Sequence, residues 1–481
     1  MDRTSKIFSN EINKKTIKKA NKSKIKFMKK YGDDSKKDYK LGFENIETLD
    51  FINTKNIVFK NENEEFPKNG LIVGNIRMGF GHYRISIAMA SCAKALGYTP
   101  LWLDLASFDA TGSKMIRYQN DLYSMASRLS QKFKLFNKLY WERLNCEGFK
   151  KIEYNAKDQK NSELLVPIFN NIPKDIPYIA THVWPSQGAI HAGLKNVCNA
   201  IPDNWPMALH LSEGAIHAVQ TEYAYLGYKM LNGFSKKPLN GIPDDELKCV
   251  GAFIDHELLC NLDKDNELRI KRIKNGKPIR ILMTVGGAGA GYKQFKEMVI
   301  HLLPYVKEKK VTLLINFGDH DTVYNKLIND VKGIDAKLFF NEYDKLKQLN
   351  NELRLNDLEG IYAIYNKNIF EAVYSTNLLM PNSDVLITKP SELSFYPIPK
   401  VFMRHIGGHE VYGAIHSREY GDGTFECPKP KMMNEMLNRI ISDKDILIHM
   451  VNRINELNKM GYYNGAYECV KLATRNSDKN D

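Results

Sequence analysis

Two things are scarce in this 481-residue chain: uninterrupted apolar sequence and ordered cysteine. No run of about 18 uncharged apolar residues occurs, so no membrane-spanning helix is expected. The N-terminus is basic but no apolar segment follows it, so no secretory signal is expected either. Cys92, Cys146, Cys198, Cys249, Cys260, Cys427 and Cys469 are scattered, without any C-x-x-C. That argues against a zinc site or a disulfide framework and points to a reducing cytoplasm. No basic–aromatic module accompanies the positive charge, so nucleic acid is not an expected partner. What is present is ordinary globular material, 43% apolar, in a chain too long for one core. Two main domains follow.

The formal charge of +13 is unevenly placed: residues 1–40 hold 14 Lys and Arg against 5 Asp and Glu, a net of +9. Two readings stand side by side. One is a solvated, partly disordered tail. The other is a contact with anionic lipid headgroups, where each Lys adds about 1 kcal/mol. Ile12, Ile17, Ile25, Phe27 and Met28 would then supply apolar insertion.

The most informative stretch is Leu71–Leu105. Leu71, Ile72 and Val73 read as a buried strand, and a loop with Gly79 and Gly81 follows. Ile85, Met89, Cys92 and Leu96 then fall on one helical face, which Gly97 ends. Pro100–Leu105 supplies the next strand, ending near Asp104. This strand–loop–helix–strand unit opens a parallel α/β sheet. Aromatic and apolar residues at helical spacing over 107–162 (Tyr118, Leu122, Phe133, Phe136, Tyr140, Trp141) read as core packing. IPYIATHVW (176–184) and PMALHLSEG (206–214) read as further strands, placing His182, His210, Glu213 and His217 at strand ends, where open α/β sheets hold ligands.

Lys229–Pro243 is rich in Gly, Pro, Asn and Lys and reads as interdomain. A second unit opens with a strand over Ile279–Val285, a loop carrying Gly286, Gly287, Gly289 and Gly291, and a helix. Strands follow at 311–320, 360–366, 383–393 and 399–405, with a charged helical stretch at 322–358. The segment from Met432 to Thr474 reads as helices, with Met433, Met436, Leu437 and Ile440 on one face.

A glycine loop at a helix N-terminus is an anion site, because free N–H groups and the dipole both point at the ligand. Gly286–Gly291 therefore reads as a diphosphate cradle. A dinucleotide fingerprint at Gly79–Gly81, with Asp104 on a ribose, is disfavoured because Arg84 stands where the third glycine belongs. That leaves a nicotinamide-dependent oxidoreductase as a lesser alternative. His82, at a helix start, is the candidate base, since that environment favours the neutral imidazole that can take a hydroxyl proton. Asp104, His182 or His210 would orient or replace it. In the second unit Lys389 and Ser391 are candidates for phosphate or ribose oxygens, and Glu392, His409 and Glu410 for sugar hydroxyls.

Taken together, the chain resembles the GT-B glycosyltransferases of the family that includes monogalactosyldiacylglycerol synthases and the N-acetylglucosaminyltransferase of peptidoglycan lipid-intermediate synthesis. GFGHYRISIAMASCAKALGY resembles the family's glycine loop, histidine and helix, and YIATHVWPSQGAI its strand and Thr-His segment. TVGGAGAG resembles the opening of its nucleotide-sugar domain. SDVLITKPSELSF and GGHEVYGA resemble its Asp-x-x-x-x-Lys-Pro-Gly-Gly and Gly-x-x-Glu-x-x-Asn-Ala segments. The departures are Ser391-Glu392 in place of Gly-Gly, Gly413 in place of Asn, and a shortened segment between Leu393 and Pro399 that lacks the family's ribose-contacting acid.

The resemblance implies two Rossmann-like α/β domains facing a cleft, with C-terminal helices. The expected boundaries are a basic extension over 1–66, an acceptor domain over 67–235, a nucleotide-sugar domain over 245–430 and helices over 431–481. It implies a UDP-sugar donor held by Gly81, Gly287, Gly289, Tyr365, Lys389, Ser391, Glu392, His409 and Glu410, with uracil near Tyr365 and Asn366. His82 and Asp104 would be catalytic, and the acceptor a lipid or lipid-linked hydroxyl at the inner membrane face. No cofactor or metal is expected, since no Asp-x-Asp stands where a metal-dependent transferase would use one. A UDP-sugar epimerase or hydrolase on the same fold, and a non-catalytic nucleotide-sugar-binding protein, are the alternatives.

Overall fold

The computed structural model describes residues 2–77, 79–133, 141, 143–286 and 291–475. They form two compact α/β units, the first from 1–78, 85–256 and 464–481, the second from Gly79–Arg84 and Glu257–Tyr463.

The first unit is built on eight strands: β1 (Leu41–Asn45), β2 (Lys55–Phe59), β3 (Gly70–Asn75), β4 (Thr99–Asp104), β5 (Tyr178–Ala180), β6 (Val197–Ala200), β7 (Ile216–Val219) and β8 (Leu247–Cys249). Their order is β8-β7-β6-β5-β3-β4-β2-β1. All pairs are parallel except β1 with β2, an antiparallel edge ribbon. β3 is buried along its whole length, as its unbroken apolar run requires of a strand covered on both faces. Gly74 ends that run because any Cβ there would enter the Tyr178 phenol on β5. Helices α1 (Lys14–Tyr31), α2 (Phe80–Ala95), α3 (Thr111–Lys132), α4 (Ile152–Ser162), α5 (Val183–His191) and α6 (Glu222–Met230) accompany these strands.

Several sequence expectations change here. The basic tail is a packed helix and not a disordered segment. Asn13 caps α1 by accepting the Thr16 N–H at 2.9 Å, and Gly32 (φ +104°) ends it. Phe27 and Ile12 are buried and Phe27 stacks edge-on against Tyr118 of α3, so these two apolar residues are used by the core. PMALHLSEG is not a strand. It holds a 3-10 turn at Ala208–His210; the buried Asn155 amide of α4 donates to the Ala208 and Leu211 carbonyls (2.8 Å each), and Asn199 donates to the His210 carbonyl (2.8 Å). Side chains thus replace the ladder. Of the aromatic stripe, Trp141 is buried beside Tyr123 but Leu122 and Phe133 are exposed; Phe136 and Tyr140 lie outside the described residues.

The second unit has β9 (Ile279–Thr284), β10 (Val311–Asn316), β11 (Ala336–Phe340), β12 (Gly360–Tyr365), β13 (Val385–Thr388), β14 (Lys400–Met403) and β15 (Gly423–Cys427). All are parallel, in the order β11-β12-β10-β9-β13-β14-β15. Helices α7 (Leu262–Lys274), α8 (Tyr292–Lys307), α9 (Asp321–Asp330), α10 (Tyr343–Leu355), α11 (Ile369–Leu379), α12 (Val411–Tyr420), α13 (Pro430–Ser442) and α14 (Lys444–Lys459) accompany them, and α15 (Gly465–Thr474) belongs to the first unit. The edge strand β11 falls inside the stretch whose charge pattern suggests helix alone. Met433, Leu437 and Ile440 of α13 are fully buried, in keeping with their shared face. The Lys229–Pro243 segment lies within the first unit, leading to its edge strand β8. No helix among the described residues is long and apolar enough to cross a membrane.

Candidate active site

β9 is flanked by β10 on one side and β13 on the other, so the winding of the second sheet reverses between β9 and β13. Open α/β sheets bind ligands beyond the carboxyl ends of the strands at such a point. The residues that follow these two strands meet there. A Cβ on Gly286, after β9, would lie 2.9 Å from Cε of Lys389, which follows β13. The glycine lets the lysine stem cross the loop. Gly287 and Gly289 lie outside the described residues.

Lys389 donates to Glu410 in an ion pair whose side chains are 22% and 9% exposed. The other Glu410 oxygen accepts the Ile406 N–H at 2.8 Å. Burial pushes the Glu410 carboxyl upward, but Lys389, His409 and that N–H outweigh it and hold the group below its usual range. His409 and Glu410 share the 3-10 turn Gly408–Glu410, and the His409 ring covers Gly407, whose Cβ would lie 2.5 Å from its Cε1. His320 Nε2 is 3.0 Å from the Gly286 carbonyl, so Nε2 carries the proton.

The first turn of α2 belongs to this unit. His82 lies in that turn, where backbone N–H groups are not used by the helix. A Cβ on Gly81 would lie 3.0 Å from Oε2 of Glu392. Glu392 is ion-paired at 3.6 Å with Nε of Arg84. Ser391 is engaged locally: its N–H donates to the Lys389 carbonyl (2.9 Å) and its carbonyl accepts the Ser394 hydroxyl (2.6 Å).

Other residues singled out in the sequence serve elsewhere. Tyr365 is 6% exposed and stacked on Phe340 at 4.5 Å, within the core. Asn366 donates to Ser375 Oγ at 3.1 Å and its backbone N–H to the Gly318 carbonyl at 3.1 Å. Asp104 ends β4 in the first unit and caps the following turn by accepting the Ala106 N–H at 2.8 Å. His82 and Asp104 therefore belong to different units. His182 caps α5, its Nδ1 accepting the Trp184 N–H at 3.2 Å, and His210 bonds Asp203 at 3.0 Å. His217 is fully buried, accepts the Ser212 N–H at 2.9 Å and is pushed down to about 4 by burial. Glu213 is pushed up by burial.

The departures from the resembled motifs have local causes. Residues 389–399 join β13 to β14 with one 3-10 turn, Glu392–Phe395, in place of a helix. Leu393, Phe395, Tyr396 and Ile398 are buried, and buried Lys400 ties the segment down by donating to the Tyr396 carbonyl (2.8 Å) and to Asp422 (2.7 Å). A Cβ on Gly413 would lie 2.6 Å from Ser394 Oγ and 2.9 Å from the Pro390 carbonyl. No asparagine fits there. Arg84, Asn377, His320 and Phe80 also belong to the candidate site; the sequence marks Arg84 only as a break in a glycine pattern and the other three not at all, because their roles arise from long-range contacts. Among the described residues no group of three or more His, Cys, Asp or Glu is placed to hold a metal ion.

The sequence model of a family described as Domain of unknown function (DUF6937) matches residues 6–230, and that of another, Domain of unknown function (DUF6938), matches residues 242–474. No curated protein matches the chain. Among solved structures, the chain is similar to a UDP-GlcNAc 2-epimerase from Neisseria meningitidis bound to UDP-GlcNAc, with 10% identity, TM-score 0.44, and coverage of 85% of this chain and 99% of that one. It is similar to S. aureus MnaA with UDP at 11% identity and TM-score 0.46, over 85% and 97% of the two chains. An alpha,alpha-trehalose-phosphate synthase (UDP-forming) from Burkholderia vietnamiensis is similar at 10% identity and TM-score 0.42, over 84% and 99%.

Proposed function

We propose that this protein is a GT-B-type glycosyltransferase that moves a sugar from a UDP-sugar to a hydroxyl of a lipid or lipid-linked acceptor. The observation that carries the reading is the meeting of Lys389 with Gly286 at the switch point of the second sheet. There a diphosphate would exchange places with Glu410 on the Lys389 ammonium and take N–H groups from the glycine loop. His82 accepts the proton of the acceptor hydroxyl as that oxygen attacks the anomeric carbon. The bond from that carbon to the diphosphate breaks on the opposite face, with inversion, and UDP departs with its charge held by Lys389 and the loop amides. Ser391, Glu392 and His409 are the candidates for ribose and sugar oxygens.

The lipid side of the reading is supported by the first unit. α1 exposes Lys14, Lys15, Lys18, Lys19, Lys22, Lys26, Lys29 and Lys30 and contains no acidic residue. Adjacent α3 exposes Leu122, Met125 and Leu129. Basic charge beside exposed apolar side chains suits an anionic membrane surface, which would place the enzyme peripherally at the inner face of the cell membrane.

A thermal-shift panel of UDP, UDP-sugars and dinucleotides tests the donor, because a ligand of the folded state raises its apparent stability. A shift with UDP and UDP-sugars is expected; a shift with dinucleotides alone overturns the reading. Consumption of UDP-sugar without an acceptor would replace transfer by epimerisation or hydrolysis. Sedimentation with phosphatidylglycerol vesicles at low and high salt tests the surface, with the Lys18, Lys22, Lys26 and Lys29→Gln variant as control. Binding that is insensitive to both salt and substitution removes the membrane assignment.

A further inference from the structure

Four of the five residues from Phe80 to Arg84 have side-chain or close contacts to later parts of the second unit, although α2 continues into the first. Phe80 lies over Gly318, whose φ of +62° and lack of a Cβ leave space for the ring, and faces His320 at 5.6 Å. Gly81 lies against Glu392. Tyr83 meets Phe370 at 5.4 Å between ring centres. Arg84 reaches furthest: its guanidinium donates to the Val373 carbonyl at 3.1 Å and to Asn377 Oδ1, and lies 5.9 Å over the Tyr396 ring. Phe370, Val373 and Asn377 are spaced three and four apart, so one face of α11 receives the turn.

Arg84 is 3% exposed and Glu392 15%. A guanidinium taken that far from water is tolerated when charge and donors are both matched. Here the Glu392 carboxylate supplies the charge from 3.6 Å, without a hydrogen bond to Nε, and the α11 carbonyl and amide oxygen both accept from Nη1. With both acceptors on one terminal nitrogen, the rest of the guanidinium plane lies beside Glu392 and over the Tyr396 ring. Arg84 is also the residue that breaks the dinucleotide pattern, and Glu392 the residue that breaks the Lys-Pro-Gly-Gly pattern. They are partners in space. The two departures are therefore one feature: a glycine at 392 would leave Arg84 buried without a counter-charge, and a small residue at 84 would leave Glu392 without its cation.

We propose that Arg84, through Glu392 and α11, is the positioning residue that fixes the His82 turn at the switch point of the second unit. Its link to catalysis rests on the function proposed above, whereas the clamp itself does not. Arg84 ties the turn to α11, and Glu392 presents one oxygen to Arg84 and the other towards Gly81. The turn carrying the proposed base then keeps its place before any ligand arrives.

The test combines amide hydrogen exchange of residues 79–84 with calorimetric UDP binding and UDP-sugar turnover, on the full chain. In Arg84→Met, exchange in this turn is expected to rise at least about tenfold, with turnover falling by about a hundredfold, the cost of a misplaced catalytic group, and KM changing little. Arg84→Lys keeps the charge but loses the guanidinium plane between Glu392 and the Tyr396 ring, and is expected to fall between wild type and Arg84→Met. Glu392→Gln should loosen the turn, and the Arg84→Met/Glu392→Gln double variant should exchange less than the sum of the single effects predicts. Unchanged exchange in Arg84→Met, or strict additivity, overturns the clamp. If Arg84→Met does not fold, Arg84→Lys and Glu392→Gln carry the same comparison. Coupled exchange without UDP binding sinks the enzymatic reading and leaves the clamp standing. UDP turnover with unaltered exchange does the reverse.

Discussion

Replacing Lys389 by Met separates the two roles of its ammonium. In the ligand-free protein it neutralises Glu410, whose remaining polar contacts include the Ile406 N–H at 2.8 Å. Breaking a fully buried pair costs about 3–5 kcal/mol because one charge is stranded. The Lys389 side chain is 22% exposed and water reaches the pair, so a loss of about 1–3 kcal/mol is expected in urea unfolding. On the ligand side, a charge-assisted hydrogen bond to phosphate contributes about 1.5–3 kcal/mol, so the affinity for UDP should fall by about ten- to a hundredfold. Glu410→Gln works in the opposite direction: it keeps an acceptor for Ile406, releases Lys389 and should tighten UDP binding. The pH dependence follows from the Glu410 carboxyl being held below its usual range. Its contribution to stability is complete above the ordinary carboxylate range and is lost as pH falls through the lowered value. Titration calorimetry with UDP at neutral pH, paired with urea curves, reads both effects. If Lys389→Met binds UDP as wild type does, Lys389 does not face the diphosphate and the proposed donor site is wrong.

Three further outcomes are expected. His82→Ala should lower turnover by about 10²–10⁴ while UDP affinity persists; full activity in that variant removes the base from the mechanism. Gly413→Ala should destabilise the protein by about 1–3 kcal/mol in urea, because the new Cβ presses on the Pro390 carbonyl; a neutral result would mean that this backbone yields. Burial pushes Asp158 on α4 up to about 7, against the pull of Lys157 and Trp184. Its folded form therefore keeps a proton that the unfolded chain releases near pH 4, so this group makes stability decline between about pH 4 and 7. Asp158→Asn should flatten that decline, and an unaltered slope in urea titrations at pH 5 and 7.5 would contradict it.

The strands at the centre of both sheets were readable because their burial on two faces leaves continuous apolar runs, as in Leu71–Val73 and Ile281–Met283. Edges were not: β11 alternates poorly, with Leu338 and Phe340 exposed, and sits among charged residues that suggest helix. PMALHLSEG has the apolar content of a strand, but the amides of distant Asn155, Gln187 and Asn199 take its carbonyls and hold it as a turn. The strand–loop grammar singled out Lys389, which directly follows β13, and Glu410, which lies further on in the loop after β14. Tyr365 has the same address, yet its ring is buried in the core beside Tyr324. What local pattern could not supply was the company each residue keeps. Arg84 reads as an obstacle to a dinucleotide loop, and its partners Asn377 and Glu392 lie about 300 positions away.

The return of α15 to the first unit bears on the order in which the chain acquires its structure. Cys469, Val470 and Ala473 are buried, and α15 lies against β5 and β6, with the Gly465 N–H bonded to the Ala252 carbonyl at 3.0 Å. A Cβ on Gly465 would enter the Gly251 carbonyl, so the fit admits no bulkier residue. During synthesis the first unit emerges early but lacks this helical covering until residues 464–474 follow, after nearly all of the second unit has been made. Domains ordinarily fold in the order they leave the ribosome. In this protein β5 and β6 lack the cover of α15 while residues 257–463 are being made.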